Sequence, residues 1–321
     1  MKILKKYSVL LSFITTFLMF VILMLLLNIL GNGNDSVLKG DLFEQYLPFI
    51  VSFLNSIKNG NSIWYSFANY IGQGNILTNS YYALNPFNFL FLFDSLGYEN
   101  IAISIIAIKI GLAAASFNYF TKKVFSSDEF ISFLASLFYG LSAFSVSNYF
   151  NIIWLDAIYI LPFIIFLIIR FFKTGKNYLL IVTYLYLFIT NFYMGYIVGI
   201  FSAVVFISYF FCFYYPASDK KVTSTLLCIG KYIFSVLISV LLSACVTLPT
   251  LGFLLGHLAI DNNDFANINI SIIDIANMFY LGQIQDINNK FPILYCGLPA
   301  FILFIFPSVF MMLINLLLLL F

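Results

Sequence analysis

The chain has 321 residues, 62% hydrophobic and 9% charged, with a mean hydropathy of +1.01 and a formal net charge of +2. A water-facing domain of this length carries about a quarter charged residues, so a soluble globular protein is excluded and the bilayer must solvate most of the surface. No basic face is present to bind nucleic acid, and the four cysteines (Cys212, Cys228, Cys245 and Cys296) lack metal-ligand spacing and read as buried thiols in apolar runs.

Apolar runs between polar breaks predict an all-α fold, a polytopic transmembrane helix bundle of about eight spans in a single domain over 1–321. The spans fall at roughly 8–30, 100–120, 130–147, 156–172, 178–191, 196–215, 231–251 and 297–321. The run from Val9 to Leu30 is too long for the apolar core of a signal peptide, and no small-residue cleavage site follows it. It reads as a retained first helix. The fourth and fifth spans are short, which fits a different tilt or a partly re-entrant path.

Between the first two spans lies a long loop, 31–99, opened by the turn signal Gly31-Asn-Gly-Asn-Asp-Ser. Lys39-Gly-Asp-Leu-Phe-Glu-Gln-Tyr-Leu-Pro-Phe follows, and then an apolar piece from Ile50 to Ile57, too short to span and suited to a helix in the membrane interface. A second such piece runs from Asn85 to Leu96. Between them, Trp64, Tyr65, Asn69, Tyr70, Gln73, Asn75, Asn79, Tyr81 and Tyr82 make an aromatic and amide-rich stretch. Such residues form an aromatic belt at the headgroups or meet sugars and headgroups directly. A second long loop, 252–296, follows the seventh span; loops of such length are uncommon unless functional.

Eleven of the 15 basic residues fall on one side: Lys2, Lys5, Lys6, Lys122, Lys123, Arg170, Lys173, Lys176, Lys220, Lys221 and Lys231. Lys and Arg accumulate in cytoplasmic loops. The amino terminus is therefore expected inside, and both long loops outside a cell membrane, which makes the extracytoplasmic face the working one.

Several residues are candidates for chemistry. On an α-helix Asp41, Glu44 and Gln45 share a face through their i, i+3, i+4 spacing. Asp-x-x-Glu also fits a helix-capping pair, although a helix starting at Asp41 would run into Pro48, whose ring clashes with the Glu44 carbonyl. Asp156, in Trp154-Leu-Asp-Ala at the start of the fourth span, is either a partner in a cavity or an interfacial N-cap. Asn191 and Tyr193, in the turn Thr190-Asn-Phe-Tyr-Met-Gly-Tyr, approach the same layer. Lys109 lies within a span and is expected to face the bundle interior in an ion pair. His257 is the lone histidine, weak grounds for a metal and better read as a hydrogen-bonded loop residue. No Walker, GxGxxG or Ser/His/Asp signature is present.

Gly40-Asp-Leu-Phe-Glu-Gln-Tyr-Leu-Pro-Phe, Tyr81-Tyr-Ala-Leu-Asn-Pro-Phe-Asn, Trp154-Leu-Asp-Ala-Ile-Tyr-Ile-Leu-Pro and Thr190-Asn-Phe-Tyr-Met-Gly-Tyr, in that order, resemble the YfhO-type bacterial membrane proteins through about Thr250. That family is similar to the GT-C glycosyltransferases. The resemblance implies transfer of a sugar from a polyprenyl-phosphate carrier to an extracytoplasmic acceptor. In several Gram-positive members the acceptor is a cell-wall polymer such as lipoteichoic acid, so a cell-wall polymer or glycolipid acceptor is expected. It also implies an essential acidic residue in the first outer loop, a position that Asp41 fills with Glu44 beside it. Family members are usually longer, so the chain reads as an amino-terminal portion. On this reading Asp41 and Glu44 are catalytic, while Gln45, Tyr81, Asp156, Asn191, Tyr193 and His257 bind substrate. The leaving phosphate needs a cation, which Lys39, Lys58, His257, Lys290 or a divalent metal would supply; no organic cofactor is implied. The partners are the lipid-linked donor, the envelope acceptor and membrane lipids. Two other classes stay open: a transporter or lipid flippase, which would show paired interrupted spans, and a non-catalytic membrane scaffold, which would need no outer carboxylates.

Overall fold

The computed structural model describes residues 2–27, 29, 36–67, 73–75, 78–215 and 222–258. Helices dominate, in chain order α1 (Lys2–Leu26), α2 (Leu47–Lys58), α3 (Tyr98–Phe125), α4 (Glu129–Gly140), α5 (Ala143–Ser147), α6 (Leu155–Thr174), α7 (Tyr178–Thr190), α8 (Phe192–Tyr209), α9 (Val222–Leu242) and α10 (Ala244–Leu258). The one sheet among the described residues is a two-residue antiparallel pair, β1 (Tyr65–Ser66) with β2 (Gln73–Gly74). The chain divides into two compact units, 1–141 with 148–260, and 142–147 with 261–321. Of the second unit, the described part is the short helix α5 with its preceding turn.

Six described segments are long and apolar enough to cross a membrane: 6–26, 98–125, 129–147, 155–174, 192–214 and 225–242. The polytopic helix bundle expected from the sequence is therefore observed. The fifth expected span is α7, whose 13 residues reach about 20 Å, short of the ~30 Å hydrocarbon layer. The seventh, expected over 231–251, is broken at Ser243, whose hydroxyl turns back to the Val240 carbonyl at 3.0 Å. The chain restarts as α10, which contains Pro249 and extends into the expected second loop. The eighth span and most of the second long loop lie outside the described residues.

Helix α3 is the centre of the first unit and touches α1, α4 and α6. It is apolar nearly all round, so no face is left for water, as expected of an enclosed helix. Small residues let its neighbours come close: a Cβ added at Gly111 would lie 2.9 Å from the Phe13 ring and 3.1 Å from the Phe13 carbonyl oxygen. At one end of the bundle α1, α3 and α4 are joined by polar side chains. Lys122 pairs with Glu129 at 2.6 Å and donates to Ser8 Oγ at 2.9 Å, while Asn118 Nδ2 donates to Ser12 Oγ at 2.9 Å. The other end carries the long first loop. There α2 buries Leu47, Ile50, Phe53 and Leu54, a helical stripe that seats it on the bundle. The second apolar piece forms a 3-10 helix, Pro86–Leu92, capped by Asn85. Cys228 is buried as expected, but Cys212 and Cys245 are exposed on their helices. In a bundle whose outer surface is apolar, a thiol suits the outside as well as the core.

Candidate active site at the loop end

Asp41 is fixed from both sides. Upstream, the Val37 amide donates to Glu99 Oε1 at 2.9 Å, which ties the loop to the first turn of α3. Gly40 then adopts φ +50°, in the left-handed region where a side chain is disfavoured. The amides of Phe43 and Glu44 close back on its carbonyl at 3.0 Å each. Downstream, the chain winds through a π-helical turn, Leu42–Tyr46, with the Leu47 amide bonded to the Leu42 carbonyl, and continues into α2 with Pro48 near its start.

Pro48 causes that widening. It has no N–H to offer Glu44, and its ring would strike that carbonyl in a regular α-helix; the wider turn moves the carbonyl aside. The expected conflict is resolved by geometry and not by ending the helix. The widening also changes which residues are neighbours. In a π turn Asp41 faces i+4 and i+5, so Gln45 and Tyr46 adjoin it while Glu44 points to the exposed surface. Of the i, i+3, i+4 face expected for an α-helix, Gln45 at i+4 keeps its place beside Asp41, while Glu44 at i+3 is turned off it and Tyr46 at i+5 takes its place. Capping is absent too: Asp41 makes no side-chain cap hydrogen bond.

The Asp41 carboxylate receives Gln45 Nε2 at 3.4 Å and the Tyr46 hydroxyl at 3.3 Å. Both donors are neutral and both contacts are long. The single Tyr46 proton also faces Asn151 Oδ1 at 3.0 Å, so Asp41 gets only a share of it. A carboxylate offers about four acceptor positions, of which the described residues fill two. Gln45 Oε1 in turn accepts from the Tyr82 hydroxyl at 3.0 Å.

Aromatic rings wall this cluster. Tyr81 meets Tyr82, Phe192 and Tyr193 at ring-centre distances of 4.6, 5.7 and 5.9 Å, and Tyr193 is 44% exposed. Burial, then the charge of Asp41, push the Tyr46 hydroxyl far above the usual phenol range. Burial and the neighbouring phenols Tyr82 and Tyr193 push Tyr81 up to about 12, and Tyr82 is raised by burial and Asp41. All three phenols therefore stay protonated, as donors, at neutral pH.

The other sequence candidates sit behind this surface. Asp156 is 0% exposed, in the first turn of α6, and pairs with Lys109 at 2.6 Å. It is neither an interfacial cap nor a surface ligand in this conformation, since α3 brings a cation directly against it. Asn85 and Tyr159 face the same carboxylate without a well-aligned hydrogen bond. Asn191 is also fully buried. Its Oδ1 caps the Met194 amide at 3.0 Å and its Nδ2 donates to the Ile153 carbonyl at 3.1 Å, so its polar atoms serve the α7–α8 turn. The His257 side chain and Lys290 lie outside the described residues. Lys58 ends α2, about 18 Å of helix beyond Tyr46. Among the described residues no group of three or more His, Cys, Asp or Glu is placed to hold a metal. Sequence reasoning missed Tyr46, Asn151 and Glu99. The one local signal for Tyr46 was Pro48, since a widened turn makes i+5 a neighbour.

A bundle of apolar spans with a hydrogen-bonded carboxylate and an aromatic wall at one end defines a polytopic membrane protein with a polar site at the membrane boundary. The chain belongs to the bacterial membrane protein YfhO family, whose pattern matches residues 12–313. No curated protein and no solved structure matches it significantly.

Proposed function

We propose that this protein is a membrane glycosyltransferase that moves a sugar from a polyprenyl-phosphate carrier to a hydroxyl of an extracytoplasmic acceptor, an envelope polymer of the lipoteichoic acid class. The observation that carries this reading is the environment of Asp41: a half-buried carboxylate held by neutral donors, at the loop end of an apolar bundle, beside an aromatic wall. The charge pattern of the sequence supports placing that end outside the cell.

In the reaction the acceptor oxygen attacks the anomeric carbon and its proton passes to an Asp41 oxygen. The carbon–oxygen bond to the carrier breaks, and its electron pair leaves on the phosphate. Proton removal by a positioned carboxylate contributes roughly 10²–10⁴-fold. Gln45 and Tyr46 orient the base, and Tyr81 and Tyr193 offer flat faces to a sugar ring. Glu44, exposed one turn away, is assigned to the acceptor and not to Asp41. Apart from the loop-end residues, an apolar groove of about 500 Å³ along the bundle, walled by Val9, Leu112, Tyr119, Phe163 and Tyr186, has a polarity that matches a carrier chain.

The test is Asp41→Asn in membranes supplied with radiolabelled polyprenyl-phosphate glucose, galactose or N-acetylglucosamine and lipoteichoic acid. Transfer by the parent and its loss in a normally inserted variant are expected. Full transfer by the variant would sink the assignment.

A further inference from the structure

The chemistry proposed above leaves one expensive feature unused. Lys109 and Asp156 are 1% and 0% exposed, deep between α3 and α6. Desolvating such a pair costs several kcal/mol per ion, and an apolar pair of similar size often packs as well or better. The surrounding side chains (Ile105, Ile106, Ile152 and Leu155) already provide apolar packing. Stability alone is therefore a poor reason for the pair.

What an apolar replacement would lose is a hydrogen bond. Besides Asp156, the Lys109 ammonium donates to the Ile152 carbonyl at 2.9 Å. The next carbonyl, Ile153, is held by Asn191. The preceding residue, Asn151, is buried and accepts the Tyr46 hydroxyl at 3.0 Å. Three consecutive residues, 151–153, are thus clamped from α3, from the α7–α8 turn and from the π turn that carries Asp41. The route from the ion pair to the carboxylate is short: Lys109 to the Ile152 carbonyl, along the chain to Asn151, across to Tyr46, and on to Asp41 at 3.3 Å.

We infer that Lys109, held by Asp156, is a positioning residue for Asp41, acting through the Ile152 carbonyl, Asn151 and the Tyr46 hydroxyl. For catalysis the inference rests on Asp41 being the base, but the link itself is testable without substrate. With the ammonium gone, the 151–153 segment loses one of its three ties. Tyr46 is then no longer held where its proton is shared with Asp41, and the ionised carboxylate loses a donor. Losing a hydrogen bond to the charged form raises a carboxyl titration midpoint.

The experiment measures modification of Asp41 by a water-soluble carbodiimide, which labels protonated carboxyls, against pH by mass spectrometry. It uses the full chain in membranes. The variants are Lys109→Met with Asp156→Leu, chosen because removing one partner strands a buried charge, then Tyr46→Phe, and then all three together. The expected result is a labelling midpoint raised by about half a unit to one unit in the paired variant, raised similarly in Tyr46→Phe, and raised no further in the triple. A purely structural pair would leave the midpoint at its parent value, and independent effects would add; either result overturns the inference. Asp41→Asn in the transfer assay separates the premises. An active Asn variant removes the catalytic reading and leaves the labelling result standing, whereas an inactive Asn variant with an unmoved midpoint removes the positioning alone.

Discussion

Two carboxylates at opposite ends of the same bundle have opposite surroundings. Glu129 meets the Lys122 ammonium at 2.6 Å and the Ser8 hydroxyl at 3.1 Å, within a network that ties α1, α3 and α4 together. Asp41 meets an amide and a shared phenol at 3.3–3.4 Å and, among the described residues, no cation. A carboxylate neutralised by a close ammonium is a poor base, because its charge is already used. One held by long, neutral hydrogen bonds keeps its charge free for an incoming proton. The buried Asp156 resembles Glu129 in this respect, although the sequence placed it with Asp41. Partner identity, and not depth alone, distinguishes the surroundings of Glu129 and Asp156 from those of Asp41.

The largest effect that tests this contrast is kinetic. Asp41→Asn is expected to lower transfer by about 100-fold or more, while Glu129→Gln leaves the rate per inserted molecule within about twofold; equal losses would erase the distinction. Next comes Lys109→Met alone, which strands the Asp156 charge and is expected to cost about 3–5 kcal/mol of stability. Adding Asp156→Leu should recover most of that loss in thermal unfolding of the purified protein. Gly111→Leu pushes α1 off α3, where even a Cβ has no room, and is expected to cost about 1–3 kcal/mol by the same measurement. Glu129→Gln should cost less, about 1 kcal/mol at most, since both partners are partly exposed (24% and 26%).

The last effect is confined to alkaline pH. Tyr81 has a folded-state pKa raised to about 12 from 10.0, so its contribution is complete below pH 10 and is lost as pH rises through about 12. The gap in melting temperature between the parent and Tyr81→Phe should therefore move in favour of the Phe variant over that window. A gap that is constant with pH would place Tyr81 in water and open the aromatic wall.

The sequence alone established the membrane class, most of the spans, the apolar stripe of α2, and an interior position with an ion pair for Lys109. These follow from the cost of putting polar groups into hydrocarbon, which is high enough to be read residue by residue. It also directed attention to Asp41 and Tyr81. Only the tertiary structure decided that Asp156 is the partner of Lys109, that Asn191 holds the Ile153 carbonyl, and that Tyr46, in place of Glu44, joins Gln45 beside Asp41. The first two depend on contacts between residues 47 and 38 positions apart, which no local pattern encodes. The third depends on one widened turn before Pro48, which swings Glu44 off the Asp41 face and brings Tyr46 onto it.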